Sequence, residues 1–222
     1  NCYRISGVIK KHFKDKRVKI FNFYENTYIS CGHCDYECFK KRCLVNDGIN
    51  EIFKAIVQSE ETIFVLPNYF DYPNSNYFLF TERSSGFFNG NKDLENRYLN
   101  ISKKFIIVSN SCHINFKNAL LSHVSEKTKP EILYFNAKKF NQNPLDGLLM
   151  DDDCAESLIH DFLNNNYSYE ESSMAIVFYN DKILYDVINL ERRRFIGDKE
   201  NGKGRKSCKT LRSELCFERR KL

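Results

Sequence analysis

Apolar residues in the first part of the chain follow helical spacing and then strand-like alternation. Ile5, Val8 and Ile9 recur every three to four residues, which predicts a helix over 3–13. The segment at 18–23 (VKIFNF) alternates apolar and polar side chains, which predicts a strand after that helix. Further stretches with helical spacing predict helices at 46–59, 76–83, 114–124 and 153–163.

Three other apolar runs, at 62–66, 104–109 and 132–135, show no alternation. Strands that are buried on both faces of a parallel sheet have this pattern, and we expect the first run to stop at Pro67. Strands and helices that alternate along a chain are typical of an α/β, doubly wound parallel sheet. Ligands in such folds bind outside the carboxyl ends of the strands.

Charge and turn residues divide the chain into three predicted parts. The net charge is +5, but the last 31 residues hold 12 Lys and Arg against four Asp and Glu. This predicts a mildly acidic α/β domain over 1–165 and a solvated basic tail over 191–222. Two apolar runs flank Asn180 and Asp181, which predicts a β-hairpin extension over 166–190. No nucleic-acid-binding motif accompanies the basic residues, so nucleic acid is not an expected partner.

Nine cysteines are present, and four of them crowd into one irregular segment, at Cys31, Cys34, Cys38 and Cys43. No apolar run approaches the roughly 20 residues that cross a bilayer, and the first residues lack the features of a signal peptide. We therefore expect a cytoplasmic chain without a membrane partner. In that compartment crowded cysteines favour metal binding or redox chemistry over disulfides. Three interpretations fit the spacing: ligands of a [4Fe–4S] cluster, a tetrahedral zinc site, or free thiols.

The cysteine segment opens an ordered series of short motifs. After it come Asn46-Asp47 at a predicted helix start, Pro67-Asn68-Tyr69 behind an apolar run, and Glu82-Arg83 at the end of a predicted helix. Over roughly residues 1–163, this order and spacing resemble the flavodoxin-like NAD(P)H-dependent FMN reductases, which include the iron–sulfur flavoproteins. Members of that family carry a CxGCxxC-type loop, an acidic pair, a Pro-x-Tyr loop and an Asp-Arg helix end in the same order.

The resemblance implies that FMN is bound by three loops. The first is a phosphate-binding turn, of which only the last residue has a counterpart here. The second lies at the isoalloxazine ring, and the third follows the next strand. The matching residues are Asn1 for the first loop, Pro67, Asn68, Tyr69 and Phe70 for the second, and Ser109 and Asn110 for the third.

The resemblance also implies an activity and its cofactors. Electrons from NAD(P)H or a reduced carrier would pass to FMN, and the protein would orient the flavin without a catalytic residue of its own. Cys31, Cys34, Cys38 and Cys43 would hold a [4Fe–4S] cluster that relays single electrons. Their gaps of two, three and four residues differ from the compact family motif. Family members are commonly dimers, so we expect a homodimer.

One strand of the family's sheet has no counterpart in the sequence. In the family, the first strand of the chain lies in the middle of the sheet, whose strand order is 2-1-3-4-5. Because no strand precedes the first predicted helix here, we expect a chain truncated before Asn1. The predicted strand at 17–24 would then lack its neighbour, unless the hairpin near residue 180 fills the gap. The alternative function is that of a truncated, non-enzymatic flavodoxin-like domain. Such a domain would bind a metal or a partner through its cysteine loop and basic tail.

Overall fold

The computed structural model describes residues 1–166, apart from positions 33, 41–42, 110–113, 126, 129, 137–139, 141 and 143–145. These residues belong to the first of two units of the chain, Asn1–Ser168. The hairpin predicted around residue 180 and the basic tail at 191–222 fall in the second unit, Tyr169–Leu222. They lie outside the described residues.

An α/β structure forms around a four-stranded, mostly parallel sheet, which confirms the predicted α/β class. The strands are β1 Glu61–Tyr69, β2 Tyr72–Pro73, β3 Ser102–Ser109 and β4 Glu131–Asn136. Their order is β2-β1-β3-β4; β1, β3 and β4 run parallel, and the short β2 pairs antiparallel with the end of β1. The helices of the described residues are α1 Cys2–His12, α2 Ile49–Gln58, α3 Ser75–Phe88, α4 Lys92–Asn100, α5 Ile114–Leu120 and α6 Asp153–Leu163. None of these helices is both long and apolar enough to cross a membrane.

Helices lie on both faces of the sheet. Neighbouring residues of β3 point to opposite faces, and they contact different helices. Phe105 belongs to an apolar cluster with residues of α3 and α5, whereas Lys104 reaches carbonyl oxygens at the end of α6. Helix α1 packs against α6 and β1. The sheet therefore separates α6 from the layer that contains α3 and α5.

Stacked aromatic rings fill the core between the sheet and α2 and α3. Phe53 of α2 stacks on Phe80 of α3 with ring centroids 4.4 Å apart, and Phe64 of β1 stacks on Phe105 of β3 at 5.0 Å. Aromatic pairs of this kind add about 0.5–1.5 kcal/mol each to the free energy of area burial. These contacts fix α3 against the rest of the domain.

The segment at 18–23, predicted as a strand, is irregular, so that prediction is wrong. Ile20 and Phe21 are exposed, whereas Phe23 packs against the aromatic core. Alternating side chains stabilise a strand only where a neighbouring strand takes up its backbone hydrogen bonds. Within the described residues, no strand pairs with this segment or with the edge of β1 that faces away from β3 over 61–67.

Other boundaries also differ from the pattern. β1 continues through Pro67 to Tyr69, and proline is tolerated in strands at a sheet edge. Helix α3 runs five residues beyond its predicted end at Arg83. Helix α4 has no predicted counterpart, because its polar residues outnumber the apolar positions Leu94 and Tyr98 and hide the helical periodicity.

Two adjacent buried lysines close helix ends on opposite faces of β3. Lys104 donates from Nζ to the carbonyl oxygen of Leu163, at the end of α6, at 3.2 Å. Lys103 donates to the carbonyl oxygens of Tyr98 and Ile101, at the end of α4. A cation is favourable at a helix C-terminus, where the last carbonyl groups lack helical partners. Burial lowers the pKa of Lys103 to about 8.

A hydrogen-bonded histidine lies in the core beside α4. The Nε2 atom of His123 lies 2.8 Å from Thr81 Oγ1, and its Nδ1 atom lies 2.6 Å from the Tyr98 hydroxyl oxygen. Burial, with a smaller contribution from Lys103, lowers the pKa of His123 to about 4. The imidazole is therefore neutral in the folded protein at neutral pH.

We expect the folded protein to lose stability when the pH falls from 7 to 4.5. The unfolded chain binds a proton at His123 below about pH 6.5, whereas the folded protein binds it only near pH 4, so protons favour unfolding in this interval. This group should lower the free energy of unfolding by about 2 kcal/mol, measured by urea titration at both pH values. In His123→Gln the decrease should be smaller by that amount. Equal decreases in both proteins would contradict the role of His123.

Candidate functional site

Distant parts of the chain meet at the carboxyl ends of the parallel strands. β1 and β3 end there, at Tyr69 and Ser109. Helix α1 begins at Cys2 and packs against β1, and Cys2 adds to the raised pKa of the Tyr69 hydroxyl after larger effects of burial and of Tyr24. Asn1 accepts a hydrogen bond through Oδ1 from the backbone nitrogen of Leu149 at 3.1 Å. We call this edge, from Asn1 to the ends of β1 and β3, the crevice.

A strained turn presents an aromatic ring in the crevice. Phe70 and Asp71 connect β1 to β2, and both have left-handed backbone, with φ of 52° and 70°. Bulky residues rarely adopt a positive φ, and strain of this kind costs about 1–3 kcal/mol and clusters at functional sites. The side chain of Phe70 is exposed, with 94% of the residue accessible, and its neighbours Tyr69 and Tyr72 are about half exposed. The turn therefore keeps an apolar ring in solvent at the edge of the sheet where doubly wound folds generally bind ligands.

Asp71 ties this turn to the start of α5. Its Oδ2 atom accepts hydrogen bonds from the backbone nitrogen of Asn115 at 3.1 Å and from Nδ2 of the same residue at 2.9 Å. Ser109 is buried at the end of β3. Asn110, the other predicted residue of the third loop, lies outside the described residues. The structure therefore places the second predicted loop beside the helix that follows the third.

One buried arginine holds both ends of the cysteine loop. Arg83 of α3 is 3% exposed and donates from Nη1 to Asp47 Oδ2 at 2.8 Å and from Nη2 to Asp47 Oδ1 at 3.3 Å. The same guanidinium donates to the carbonyl oxygens of Ile29 at 2.6 Å and Val45 at 3.2 Å. Ile29 and Val45 flank the four cysteines, so the loop between them is closed on α3. We call the segment 29–45 the cysteine loop.

Asp47 and Arg83 stay charged although both are buried. Burial by itself raises the pKa of Asp47, but hydrogen bonds from Arg83 and from the backbone nitrogens of Ile29 and Ile49 outweigh it and lower the pKa. Burial by itself lowers the pKa of Arg83, and the hydrogen bond to Asp47 outweighs it. The Arg83 Nε atom has no hydrogen-bonding nitrogen or oxygen among the described residues, and the side chain interacts with Cys43.

Polar residues of α3 and its C-cap contact the cysteine loop directly. Glu82 accepts a hydrogen bond through Oε1 from the backbone nitrogen of Cys31 at 2.5 Å. Asn89, which follows the last residue of α3, donates from Nδ2 to the carbonyl oxygen of Cys38. The loop is therefore fixed to α3 at its two ends and at two cysteines between them.

Gly86 lets the cysteine loop approach α3 closely. A Cβ atom at this position would lie 3.0 Å from Cβ of Cys43 and 3.6 Å from Cβ of Cys38. The shorter of these distances is tighter than most contacts that real Cβ atoms make. Two cysteines therefore pack on the one position of the helix surface that has no side chain.

The four predicted ligands lie near one another. Cys31, Cys34, Cys38 and Cys43 are all free thiols. Burial raises the pKa of Cys38, and the nearby thiols of Cys34, Cys31 and Cys43 raise it further. Throughout the described part of the chain, all four cysteines included, no three His, Cys, Asp or Glu side chains are placed to hold one metal ion. A [4Fe–4S] cluster or a zinc ion on these four cysteines therefore stays a prediction.

The sequence pattern anticipates part of this site. The motif series singles out Asp47, Glu82 and Arg83, but it does not show that Asp47 and Arg83 pair or that they close a loop. Asp71 and Asn89 have no signal in the sequence, because isolated polar residues in turns and helix caps are common. Gly86 carries no signal either, because it lies beyond the predicted helix at 76–83, and Gly7 shows that a glycine within a helix need not have a close neighbour.

Asp47→Asn should lower the free energy of unfolding by about 3–5 kcal/mol, because it keeps the shape of the side chain and leaves the buried charge of Arg83 unpaired. Chemical denaturation measures the change. The matched control is Glu51→Gln, which removes the same charge from an exposed pair with Lys54. The control should cost at most about 1 kcal/mol. Equal losses in the two variants would contradict a buried role for the Asp47–Arg83 pair.

Gly86→Ala and Gly7→Ala should change the free energy of unfolding differently, although both glycines lie within helices. Nothing lies within 4 Å of a Cβ atom at Gly7, so the substitution should raise the free energy of unfolding by about 0.5–1 kcal/mol. At Gly86 the new methyl group presses on Cys43, so the gain should be lost and the loop thiols should react faster with Ellman's reagent. Equal stabilisation and equal thiol reactivity would show that the loop does not pack on Gly86.

Comparison with known proteins does not place the chain in a family. No protein-family model matches it, and no curated protein matches it at a significant level. A functional assignment therefore depends on the geometry of the crevice and of the cysteine loop.

Proposed function

We propose that the chain is a flavodoxin-like, FMN-dependent oxidoreductase or electron-transfer flavoprotein that takes electrons from NAD(P)H or a reduced carrier. The observation that carries the proposal is the crevice, where a strained turn holds Phe70 exposed. In doubly wound sheets this edge is the usual place for a ligand. An exposed aromatic side chain at this edge suits contact with a planar ring such as isoalloxazine.

The residues around the crevice fit the different parts of FMN. The end of β1, at Pro67, Asn68 and Tyr69, and Phe70 of the turn would contact the isoalloxazine ring. Ser109 would approach it from the end of β3, and the family resemblance assigns the same contact to Asn110. The start of α1, at Asn1, suits the phosphate, because helix N-termini attract anions and the first turn of α1 contains no acidic residue.

In this proposal the protein binds and orients, and the flavin supplies the hydride and single-electron chemistry. Phe70 and its aromatic neighbours Tyr69 and Tyr72 would exclude water from one side of the bound ring. Buried Ser109 and the end of β3 would set how deeply the ring enters. No side chain is required as a general acid or base.

Three further expectations belong to the same proposal: a [4Fe–4S] cluster, a homodimer and a cytoplasmic location. A [4Fe–4S] cluster on the four cysteines of this loop stays a prediction, and no step of the proposed reaction passes through it. A homodimer is supported by the exposed side chain of Phe78 near the start of α3, where family resemblance predicts the interface. A cytoplasmic location stays a prediction.

FMN should bind the full chain, and Phe70→Ala should weaken binding about tenfold, because the variant loses the contact between its ring and the flavin. Quenching of flavin fluorescence measures the Kd of both proteins. The matched control is Phe39→Ala, which removes an exposed aromatic side chain from the cysteine loop and should leave the Kd unchanged.

Anaerobic addition of NADH or NADPH should then bleach the absorbance of the bound flavin. A chain that binds no FMN, or that loses affinity equally in both variants, would contradict the proposal. That result would favour the non-enzymatic alternative.

A further inference from the structure

Two of the four loop cysteines are already in contact. The side chains of Cys34 and Cys38 lie close enough for the two thiols to interact, and neither takes part in a disulfide. Cys34 is partly exposed, whereas Cys38 is buried. One thiol of the pair is therefore open to a small molecule, and its neighbour is shielded.

A tight turn produces this contact. The backbone nitrogen of Glu37 donates to the carbonyl oxygen of Cys34 at 2.9 Å, and the two residues between them, Asp35 and Tyr36, have φ of 48° and 56°. Turns with two left-handed residues normally use Asn and Gly, so a bulky Tyr36 here is strained. A short 3-10 turn, Glu37–Phe39, then directs Cys38 back towards Cys34.

Helix α3 holds the buried member of the pair. Asn89 donates to the carbonyl oxygen of Cys38, and the missing side chain of Gly86 leaves space for its Cβ atom. Cys38 is therefore fixed, and the more exposed Cys34 lies on the side of the turn that faces solvent.

A buried positive charge lies beside the loop thiols. Arg83 interacts with Cys43 and keeps its Nε atom without a nitrogen or oxygen acceptor in the described part of the chain. Burial, followed by Glu82 and the neighbouring thiols, raises the pKa of Cys31, and Arg83 offsets part of this effect. Thiol–disulfide exchange requires thiolates, and a guanidinium beside the loop stabilises them.

We propose that Cys34 and Cys38 form a redox-active dithiol that reduces low-molecular-weight disulfides. The Cys34 thiolate attacks one sulfur of the disulfide RSSR, a Cys34–SR bond forms, the S–S bond of RSSR breaks, and RS⁻ leaves. Cys38 then gives up its proton and attacks the Cys34 sulfur, which forms the Cys34–Cys38 disulfide and releases the second RS⁻. The two leaving thiolates take up the two protons lost by the cysteines, so the dithiol is oxidised and RSSR becomes two RSH.

This activity does not depend on FMN, so its failure and the failure of the flavin proposal are distinguishable. It also gives a chemical role to the cysteine loop. The position of the exposed and buried thiols assigns Cys34 as the attacking residue and Cys38 as the resolving residue.

The test uses the reduced full chain and glutathione disulfide. After a short incubation the thiols are blocked with iodoacetamide, released glutathione is counted, and peptide mass spectrometry identifies the linked cysteines. We expect a fast phase that releases two glutathione molecules per chain and leaves a Cys34–Cys38 disulfide. Cys38→Ser should stop at a mixed disulfide on Cys34 with one glutathione released, and Cys34→Ser should remove the fast phase.

Cys43→Ser is the matched control, because it changes a thiol of the same loop and should keep the fast phase; circular dichroism confirms that each variant folds. A fast phase that survives Cys34→Ser, or a disulfide that joins other cysteines, would overturn the proposal. Stoichiometric zinc binding that is lost in Cys43→Ser, with no release of glutathione by the metal-free chain, would overturn it in favour of a metal site.

Discussion

The buried ion pair between Arg83 and Asp47 is the interaction on which the cysteine loop depends. A buried ion pair is tolerated only where both charged groups are paired and hydrogen-bonded. Here the guanidinium of Arg83 donates to both carboxylate oxygens of Asp47 and to two carbonyl oxygens of the loop. Those carbonyls belong to Ile29 and Val45, at the two ends of the loop. The electrostatic requirement of one side chain therefore fixes a segment that has little regular structure of its own.

Helix α3 connects this loop to the crevice. The helix begins at Ser75, next to the strained turn that follows β1, and the rise of a helix places Arg83 about 12 Å further along its axis. Stacking between Phe80 and Phe53 holds the helix in the core between these two points. The crevice and the cysteine loop are therefore supported by one rigid element, so a change in its packing would affect both.

The sequence predicts the features that depend on local pattern. The three parallel strands and the helix at Asp153–Leu163 are correctly predicted, because apolar runs and capped amphipathic segments carry their own signal, although β1 is only half-buried. The strand at 18–23 fails because pairing depends on a neighbour that the pattern does not reveal. The clustering of the cysteines is visible in the sequence, but the turn that joins Cys34 to Cys38 depends on left-handed backbone at Asp35 and Tyr36. Bulky residues rarely adopt a positive φ, so the sequence does not indicate this conformation at Tyr36 or at Phe70.

The most direct test of the central claim is the visible absorption spectrum of the purified full chain after addition of FMN and removal of unbound flavin, with iron and zinc quantified in the same sample. The account predicts the spectrum of bound flavin, with stoichiometric FMN and neither metal in stoichiometric amount. A chain that retains no flavin would contradict the assignment of the crevice, and stoichiometric iron or zinc would contradict the description of the cysteine loop as a set of free thiols.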